Sequence, residues 1–287
     1  MGESCLPKLP PRSPESHKGD FGNALLIGGS RGMAGAIGLT GMAAVRSGAG
    51  LVRLAVPDCC LETVATFSPC PMIIPLPHDS RGRVTAMNDE LRHWLECSTC
   101  VAIGPGLGRS EYVVQFVLEV LQFIAGANPK CPLVIDADGL FALASTQPWT
   151  PSLPNYLVLT PHPGEWARLS GCLPDDRERQ VSAACSTASS WKCTILLKGN
   201  RTFITDGTSS YWNDTGTPAM ATGGSGDVLT GVIAALICQG LSPFDSARLG
   251  AHIHGLAGML ASEQLQTHVV LPTELIQFLP TALSKTL

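Results

Sequence analysis

The stretch NDTGTPAMATGGSGDVLTGVIAALICQG, residues 213–240, joins two kinds of sequence at a glycine turn. Asn213 to Gly226 is rich in Gly, Thr and Pro and carries no charge after Asp214, whereas Val228 to Cys238 is apolar and long enough for a buried helix. Gly223-Gly224-Ser225-Gly226-Asp227 lies between them. A glycine-rich turn entering a helix leaves several backbone N–H groups aimed at one spot, with the positive end of the helix dipole behind them. Such a nest suits a phosphate, and glycine lets the backbone approach it closely. The acid at its mouth has two readings. Asp227 either caps the helix, as Asp often does, or takes the proton of a hydroxyl that attacks the phosphate.

The same succession of apolar strand, glycine-rich turn and helix runs through the rest of the chain. Asn23 to Ile27 reads as a strand ending at Gly28-Gly29-Ser30, followed by a helix over Met33 to Ser47 with small residues at helical spacing. Leu51 to Val56 and Met72 to Leu76 are further strands, separated by a helix from Pro57-Asp58 to about Phe67. The loop at 77–83 is placed to interrupt the sheet order. A helix over Asn88 to Glu96 precedes the buried strand Val101 to Ile103, which stops at GPGLG (104–108) before a long helix from Glu111 to Ala125. Leu133 to Asp136, Leu157 to Thr160 and Thr194 to Leu197 continue the strands, with a polar helix over Asp175 to Ser190. Thr202 to Thr205 and Ser209 to Trp212, joined at Asp206-Gly207, read as a hairpin. Helices over Phe244 to Ser262 and Thr273 to Leu279 complete the chain.

This alternation predicts an α/β fold with a mostly parallel central sheet and helices on both faces. The turns at 28–36, 104–108, 160–165 and 213–227 then gather along one sheet edge, where open α/β sheets bind ligands. No repeat or linker divides the sequence. Residues 1–16, with Pro7, Pro10, Pro11 and Pro14, read as an extended arm, and 17–287 as a single domain.

Charged residues make up 15% of the chain, against about 25% in average globular proteins. Its Gly and Pro stand as punctuation between apolar runs, which points to a loop-rich enzyme rather than disorder. A net charge of −4 provides no general attraction to nucleic acid or acidic membranes. The eleven cysteines form no paired C-x-x-C framework, and Cys131, Cys193 and Cys238 fall in apolar segments. That usage fits a reducing compartment. The N-terminus lacks a signal-peptide core and no apolar run reaches the ~18 residues of a membrane span, so the expected location is cytoplasmic.

Single motifs decide little. GPGLG has the wrong spacing for a dinucleotide loop and reads equally as a tight turn. His162, between two prolines at a strand end, is either a rigid loop residue or a ligand contact. Asp136 and Asp138 either bind Mg²⁺ or cap the helix beginning at Gly139, the second being slightly favoured. Lys198-Gly199-Asn200-Arg201-Thr202 offers cations, a hydroxyl and a glycine turn to nucleotide phosphates, or is an exposed hairpin loop.

Taken together, KGDFGNALLIGG (18–29), GPGLG (104–108), VIDADGL (134–140), LTPHPGEWARL (159–169), LLKGNRT (196–202) and MATGGSGDVLTG (220–231) closely resemble the NAD(P)H-hydrate dehydratase family of the ribokinase-like superfamily. The resemblance covers roughly residues 17 to 280, and its PHPGE turn is more specific than GGSGD. It implies a ribokinase-like, three-layer αβα fold and a repair enzyme acting on NADH or NADPH hydrated at the nicotinamide ring. A nucleotide, ADP in members with PHPGE, phosphorylates the C6 hydroxyl; the ring nitrogen then helps expel phosphate. Carried over by position, Asp227 is the base and Gly224, Ser225 and Gly226 form the anion hole. Lys198, Gly199, Asn200, Arg201 and Thr202, with Gly226, contact the nucleotide. Ala36, Gly106 or Gly108, His162 and Asp227 line the hydrate pocket.

The resemblance further implies Mg²⁺ on the phosphates, with its protein ligands unassigned, and a homo-oligomer. It also implies action on the S epimer alone, with a separate epimerase. One departure stands out. Where the family commonly has N-x-T-G-N-P-G-M, this chain has Asn213 to Met220 with Ala219 in place of the glycine, which requires a backbone that tolerates a Cβ. The rival expectations are a vitamin-precursor kinase of the same superfamily and a nucleotide-binding sensor without turnover.

Overall fold

The computed structural model describes residues 6–146, 153–154 and 156–286. Its strands are β1 (Asn23–Ile27), β2 (Leu51–Pro57), β3 (Met72–Leu76), β4 (Cys100–Ile103), β5 (Leu133–Ile135), β6 (Leu157–Leu159), β7 (Thr194–Leu197), β8 (Thr202–Thr205) and β9 (Ser210–Asn213). The helices are α1 (Ala34–Arg46), α2 (Leu61–Ala65), α3 (Asp89–Cys97), α4 (Glu111–Ala127), α5 (Ala137–Ala144), α6 (Pro163–Ser170), α7 (Arg177–Trp191), α8 (Ser225–Cys238), α9 (Pro243–Gln264) and α10 (Pro272–Thr286).

All nine strands form one sheet in the order β3-β2-β1-β4-β5-β6-β7-β8-β9. The pairings from β3 through β7 are parallel, and the β8–β9 hairpin closes one edge in antiparallel fashion. The predicted mostly parallel sheet is therefore present, with the hairpin where the sequence places it. After β3 the chain passes the 77–83 loop and returns to the other side of β1 as β4. Sheet order reverses there, which makes the carboxyl ends of β1 and β4 the switch point at which open α/β sheets bind ligands.

Period-two burial separates two cores. Leu25, Ile27, Val101, Ile103, Leu133, Ile135, Leu157 and Leu159 face a layer that includes Val117, Val120 and Trp166 from α4 and α6. Their strand neighbours Ala24, Leu26, Ala102, Val134 and Val158 face α1 and α8 through Ile37, Ala44, Leu229 and Ile233. Burying each such aliphatic side chain contributes about 1.5–3 kcal/mol. A third cluster joins α8, α9 and α10, and Leu6 and Leu9 of the N-terminal segment pack against it.

The small residues of α1 have a packing reason. Gly231 of α8 lies so close to α1 that a Cβ there would collide with the Thr40 carbonyl. This contact brings α8 down onto the sheet and sets the height of its N-terminus at the carboxyl edge.

Of the boundaries that differ from expectation, two bear on the site and the core. Helix α8 starts at Ser225, so the glycine turn forms its first turn rather than preceding it. Helix α10 continues through Pro280 to Thr286. Although proline removes a helical hydrogen bond, Leu279 and Ala282 on either side of it are buried, so tertiary packing overrides the local preference. Among the described residues, no helix is long and apolar enough to cross a membrane.

Candidate functional site

The N-terminus of α8 is an open anion nest. Gly224 is its N-cap at φ 98°, a left-handed conformation, and no described side chain caps the turn. A Cβ at Gly224 would come within 2.7 Å of Leu39 Cδ1, so both backbone and space call for glycine. The Ser225 N–H donates to the Thr222 carbonyl. Among the described residues the N–H groups of Gly226 and Asp227 have no acceptor, as expected of a first turn that awaits an anion. Ala219, the departure noted in the sequence, occupies a 3-10 turn over Pro218–Met220. Its φ is not positive, and its methyl joins the core between α8 and α9. The substitution is accommodated.

Asp227 occupies the third position of α8 and does not cap it. Its carboxylate accepts no hydrogen bond from any described residue, and its pKa is pushed up to about 7. Burial is the first cause and the Asp136 carboxylate the second, while Lys198 pulls in the opposite direction. A carboxyl near pH 7 with no fixed partner is suited to exchange a proton.

Lys198 follows β7 and extends to Asp136 at the end of β5, with Nζ 2.8 Å from Oδ1. Burial works against its charge, but the carboxylates of Asp136 and Glu165 outweigh this and raise its pKa above the ordinary value. Thr230 of α8 donates to the other oxygen of Asp136, also at 2.8 Å. Asp136 thus ties β5, β7 and α8 together at a buried point. The expectation that Asp136 and Asp138 cap the next helix holds in position only: Asp136 is the N-cap residue of α5, which begins at Ala137 rather than Gly139. Asp136 makes no side-chain cap bond. Asp138 accepts from the Gly108 N–H at 2.9 Å and from Arg109 Nε at 3.0 Å. Between the two acids, Ala137 is held at φ 48°, an uncommon conformation for a non-glycine residue.

Beside the nest lies a cavity of about 570 Å³. Lys198, Gly199, Asn200, Arg201, Thr202, Ser225 and Gly226, all singled out by the sequence, line it together with the 213–221 loop and Leu229, Ala251, His254 and Gly255. Ala36 and Gly106 come together elsewhere, at the β1–β4 switch point; a Cβ on Gly106 would stand 3.0 Å from that of Ala36. Gly108 joins them through Asp138, whose charge also reaches Asp227. His162 follows Pro161, whose carbonyl accepts from the Lys198 N–H. It is exposed at the end of β6 and caps α6, its Nδ1 accepting from the N–H groups of Gly164 and Glu165. Glu165 answers by accepting from the His162 N–H at 2.8 Å.

Arg177 carries no sequence signal, because it begins a polar helix without a motif. Its guanidinium donates to the carbonyls of Leu197, Lys198 and Arg201, and so holds the whole 198–201 loop. Arg177→Ala is expected to weaken nucleotide binding about 3–10-fold by freeing those three carbonyls. Titration calorimetry with ADP checks this; unchanged affinity would show that the loop holds its own shape.

With this geometry in view, the comparisons are specific. A family profile described as NAD(P)H-hydrate dehydratase matches residues 24–281. The chain belongs to the NAD(P)H-hydrate dehydratase family. A bifunctional NAD(P)H-hydrate repair enzyme of Moorella thermoacetica is 42% identical over 281 residues, covering 96% of this chain and 52% of the relative. The chain therefore spans about half the length of the bifunctional relatives it matches. An ADP-dependent (S)-NAD(P)H-hydrate dehydratase of Listeria monocytogenes is 34% identical, with 96% of this chain and 92% of the relative covered. Among solved structures, an ADP/ATP-dependent NAD(P)H-hydrate dehydratase of Bacillus subtilis, co-crystallised with ATP/Mg2+, superposes with a TM-score of 0.81 at 30% identity, covering 97% of this chain and 95% of that one. Arabidopsis thaliana ribokinase, at 13% identity and a TM-score of 0.56, shares the fold alone. The fold is thus ribokinase-like.

Proposed function

We propose that this member of the dehydratase family restores NADH and NADPH from the S epimers of their hydrates at the expense of ADP. The observation that carries this reading is Asp227. Its carboxyl, poised near pH 7 and free of hydrogen bonds from the described residues, lies in the first turn of α8 directly after the anion nest and is within electrostatic reach of Asp136, Lys198, Asp138 and Glu165. A carboxylate beside a phosphate site is unfavourable for a simple binder and useful to a base.

In the proposed reaction, Asp227 takes the proton of the C6 hydroxyl while that oxygen bonds to the β-phosphorus of ADP and AMP departs. The N–H groups of Gly226 and Asp227 and the Lys198 ammonium offset the charge on the transferred group. The C6–O bond then breaks to release phosphate, driven by the ring-nitrogen lone pair. Loss of a proton from the adjacent carbon restores the double bond. Ala36, Gly106, Gly108 and His162 are assigned to the hydrate side, and Lys198 to Thr202 with Gly226 to ADP.

Among the described residues, no three His, Cys, Asp or Glu side chains converge as a metal site. Asp136 and Asp138 are committed to Lys198, Thr230, Gly108 and Arg109. Mg²⁺ would accordingly be held chiefly by the ADP phosphates, and Asp227, which has no hydrogen bond from the described residues, would be the carboxylate left to face it. Bound there, it would neutralise phosphate charge. Interconversion of the hydrate epimers is assigned to an epimerase outside the described fold.

The deciding assay incubates the chain with hydrated NADH, Mg²⁺ and either ADP or ATP, following the absorbance of the reduced nicotinamide. Its recovery, with one AMP per NADH from ADP, is expected. A stable phosphorylated alcohol, without recovery, would instead place the chain among small-molecule kinases.

A further inference from the structure

His254 of α9 lies behind the anion nest and lines the same cavity as Lys198 and Gly226. Its Nε2 is 2.9 Å from the Ser225 carbonyl oxygen and 3.3 Å from the Ser225 hydroxyl. A carbonyl oxygen only accepts, so Nε2 carries the hydrogen and the imidazole is the Nε2–H form. Burial pushes the pKa of His254 down to about 4; the bond to Ser225 opposes this, and the nearby Lys198 ammonium reinforces it. The ring is therefore neutral at physiological pH, and Nδ1 bears a bare lone pair.

That lone pair has no hydrogen-bond partner among the described residues. The contrast with His252, two positions earlier, is informative. His252 Nδ1 is sealed and unpartnered, whereas His254 Nδ1 is not among the enclosed unpartnered atoms and its ring borders the cavity. An obligate acceptor thus opens onto the space assigned to the nucleotide.

Chemistry narrows what it can meet. Phosphate oxygens and the ring nitrogens of adenine are acceptors and would be repelled. The donors on ADP are the two ribose hydroxyls and the exocyclic amine. Because His254 is bonded to Ser225 in the phosphate-binding turn, its position favours the donor group nearest the phosphates along ADP, the ribose. We propose that His254 is a specificity residue whose Nδ1 accepts a hydrogen bond from a ribose hydroxyl of the bound nucleotide. Its Nε2–H meanwhile holds the Ser225 carbonyl. Since Nε2 is the donor in this contact, the Ser225 hydroxyl keeps its own hydrogen for a phosphate oxygen. One histidine therefore links recognition of the sugar to the alignment of the nest. The inference rests on the nucleotide reading of this cavity.

The test compares binding of ADP, 2′-deoxyADP and 3′-deoxyADP by calorimetry, with Mg²⁺, for wild type and His254→Gln. The glutamine amide can retain an N–H toward Ser225 but has no acceptor where Nδ1 stood. Wild type is expected to lose about tenfold for one deoxy analogue, the size of one good hydrogen bond. His254→Gln should bind ADP about tenfold more weakly and no longer distinguish it from that analogue. Equal binding of all three nucleotides by wild type would overturn the proposal, as would a deoxy penalty undiminished in the variant. If His254→Gln does not fold, the wild-type analogue series still decides. Nitrogen NMR of the wild-type ring, with the Nδ1 signal moving on ADP addition but not on addition of the discriminated deoxy analogue, answers the same question without a variant. A folded wild type that binds no ADP at all would refute the nucleotide reading itself, a different result from ADP binding without dependence on the ribose.

Discussion

Asp227→Asn is expected to lose hydrate dehydration by at least ~10²-fold, the lower range for removal of a general base, while producing a more stable protein. The two effects share one cause. In the fold the Asp227 carboxyl titrates near 7 instead of 3.8, because burial and Asp136 disfavour its charge. Between those values the native state holds a proton that the unfolded chain has released. Stability therefore falls as pH rises from about 4 to about 7, and the full cost is present above that window. A shift of this size corresponds to about 4 kcal/mol as an upper bound; screening through the open cavity reduces it to about 1–3 kcal/mol. Asparagine removes the charge, so denaturant unfolding at about pH 8 should show that gain, and at about pH 4 the two proteins should converge.

ADP binding should survive in this variant, since the nest is built from backbone. The wild-type profile of kcat/KM should rise with pH through about 7, because the base must be ionised in the free enzyme. Turnover retained in Asp227→Asn would remove this residue from the mechanism. A variant that is inactive but no more stable would instead show that its charge is already compensated.

Lys198→Met is expected to cost about 3–5 kcal/mol of stability and most of the nucleotide affinity. Asp136 is 1% exposed, and among the described side chains its carboxylate bonds to Lys198 and Thr230. Removing the ammonium leaves a buried carboxylate with one hydroxyl for company, the situation in which breaking an ion pair is most damaging. Adding Asp136→Asn neutralises the stranded charge, and the double variant should recover most of the lost stability. Nucleotide binding should not return, because its cation is still missing. Equilibrium unfolding of the four proteins, with ADP calorimetry on each, separates these effects. A double variant as unstable as Lys198→Met would mean that the lysine stem, rather than the charge pair, holds the site together.

The pair also marks the limit of what local sequence can say. Lys198 reads as a phosphate cation and Asp136 as a helix cap or metal ligand. Nothing local says that residues 62 positions apart bond to each other. The adjacency follows from strand order, which puts β5, β6 and β7 side by side and aims their carboxyl ends at α8. Arg177 and His254 are invisible in the sequence for a related reason. Each belongs to a helix whose pattern reports burial or polarity, and each acquires its role from a carbonyl on another element. His162 shows the opposite case. It is conspicuous between two prolines, and its ring nitrogen caps α6.

By itself the sequence determined the alternation of buried strands and helices, the 202–212 hairpin, and the glycine turns placed to gather on one side. It determined these because period-two burial, helical spacing and glycine turns are local consequences of backbone geometry. Its motifs also identified the family. Only the tertiary structure decided which acids face one another, which cation neutralises them, and that Asp227 stands near pH 7 without a hydrogen bond from the described residues. Those properties depend on distance and burial between segments far apart in the chain, and electrostatic interaction in a partly dry site follows spatial separation rather than sequence separation. GGSGD announces a place for a phosphate; the surrounding carboxylates and Lys198 tune the acid beside it.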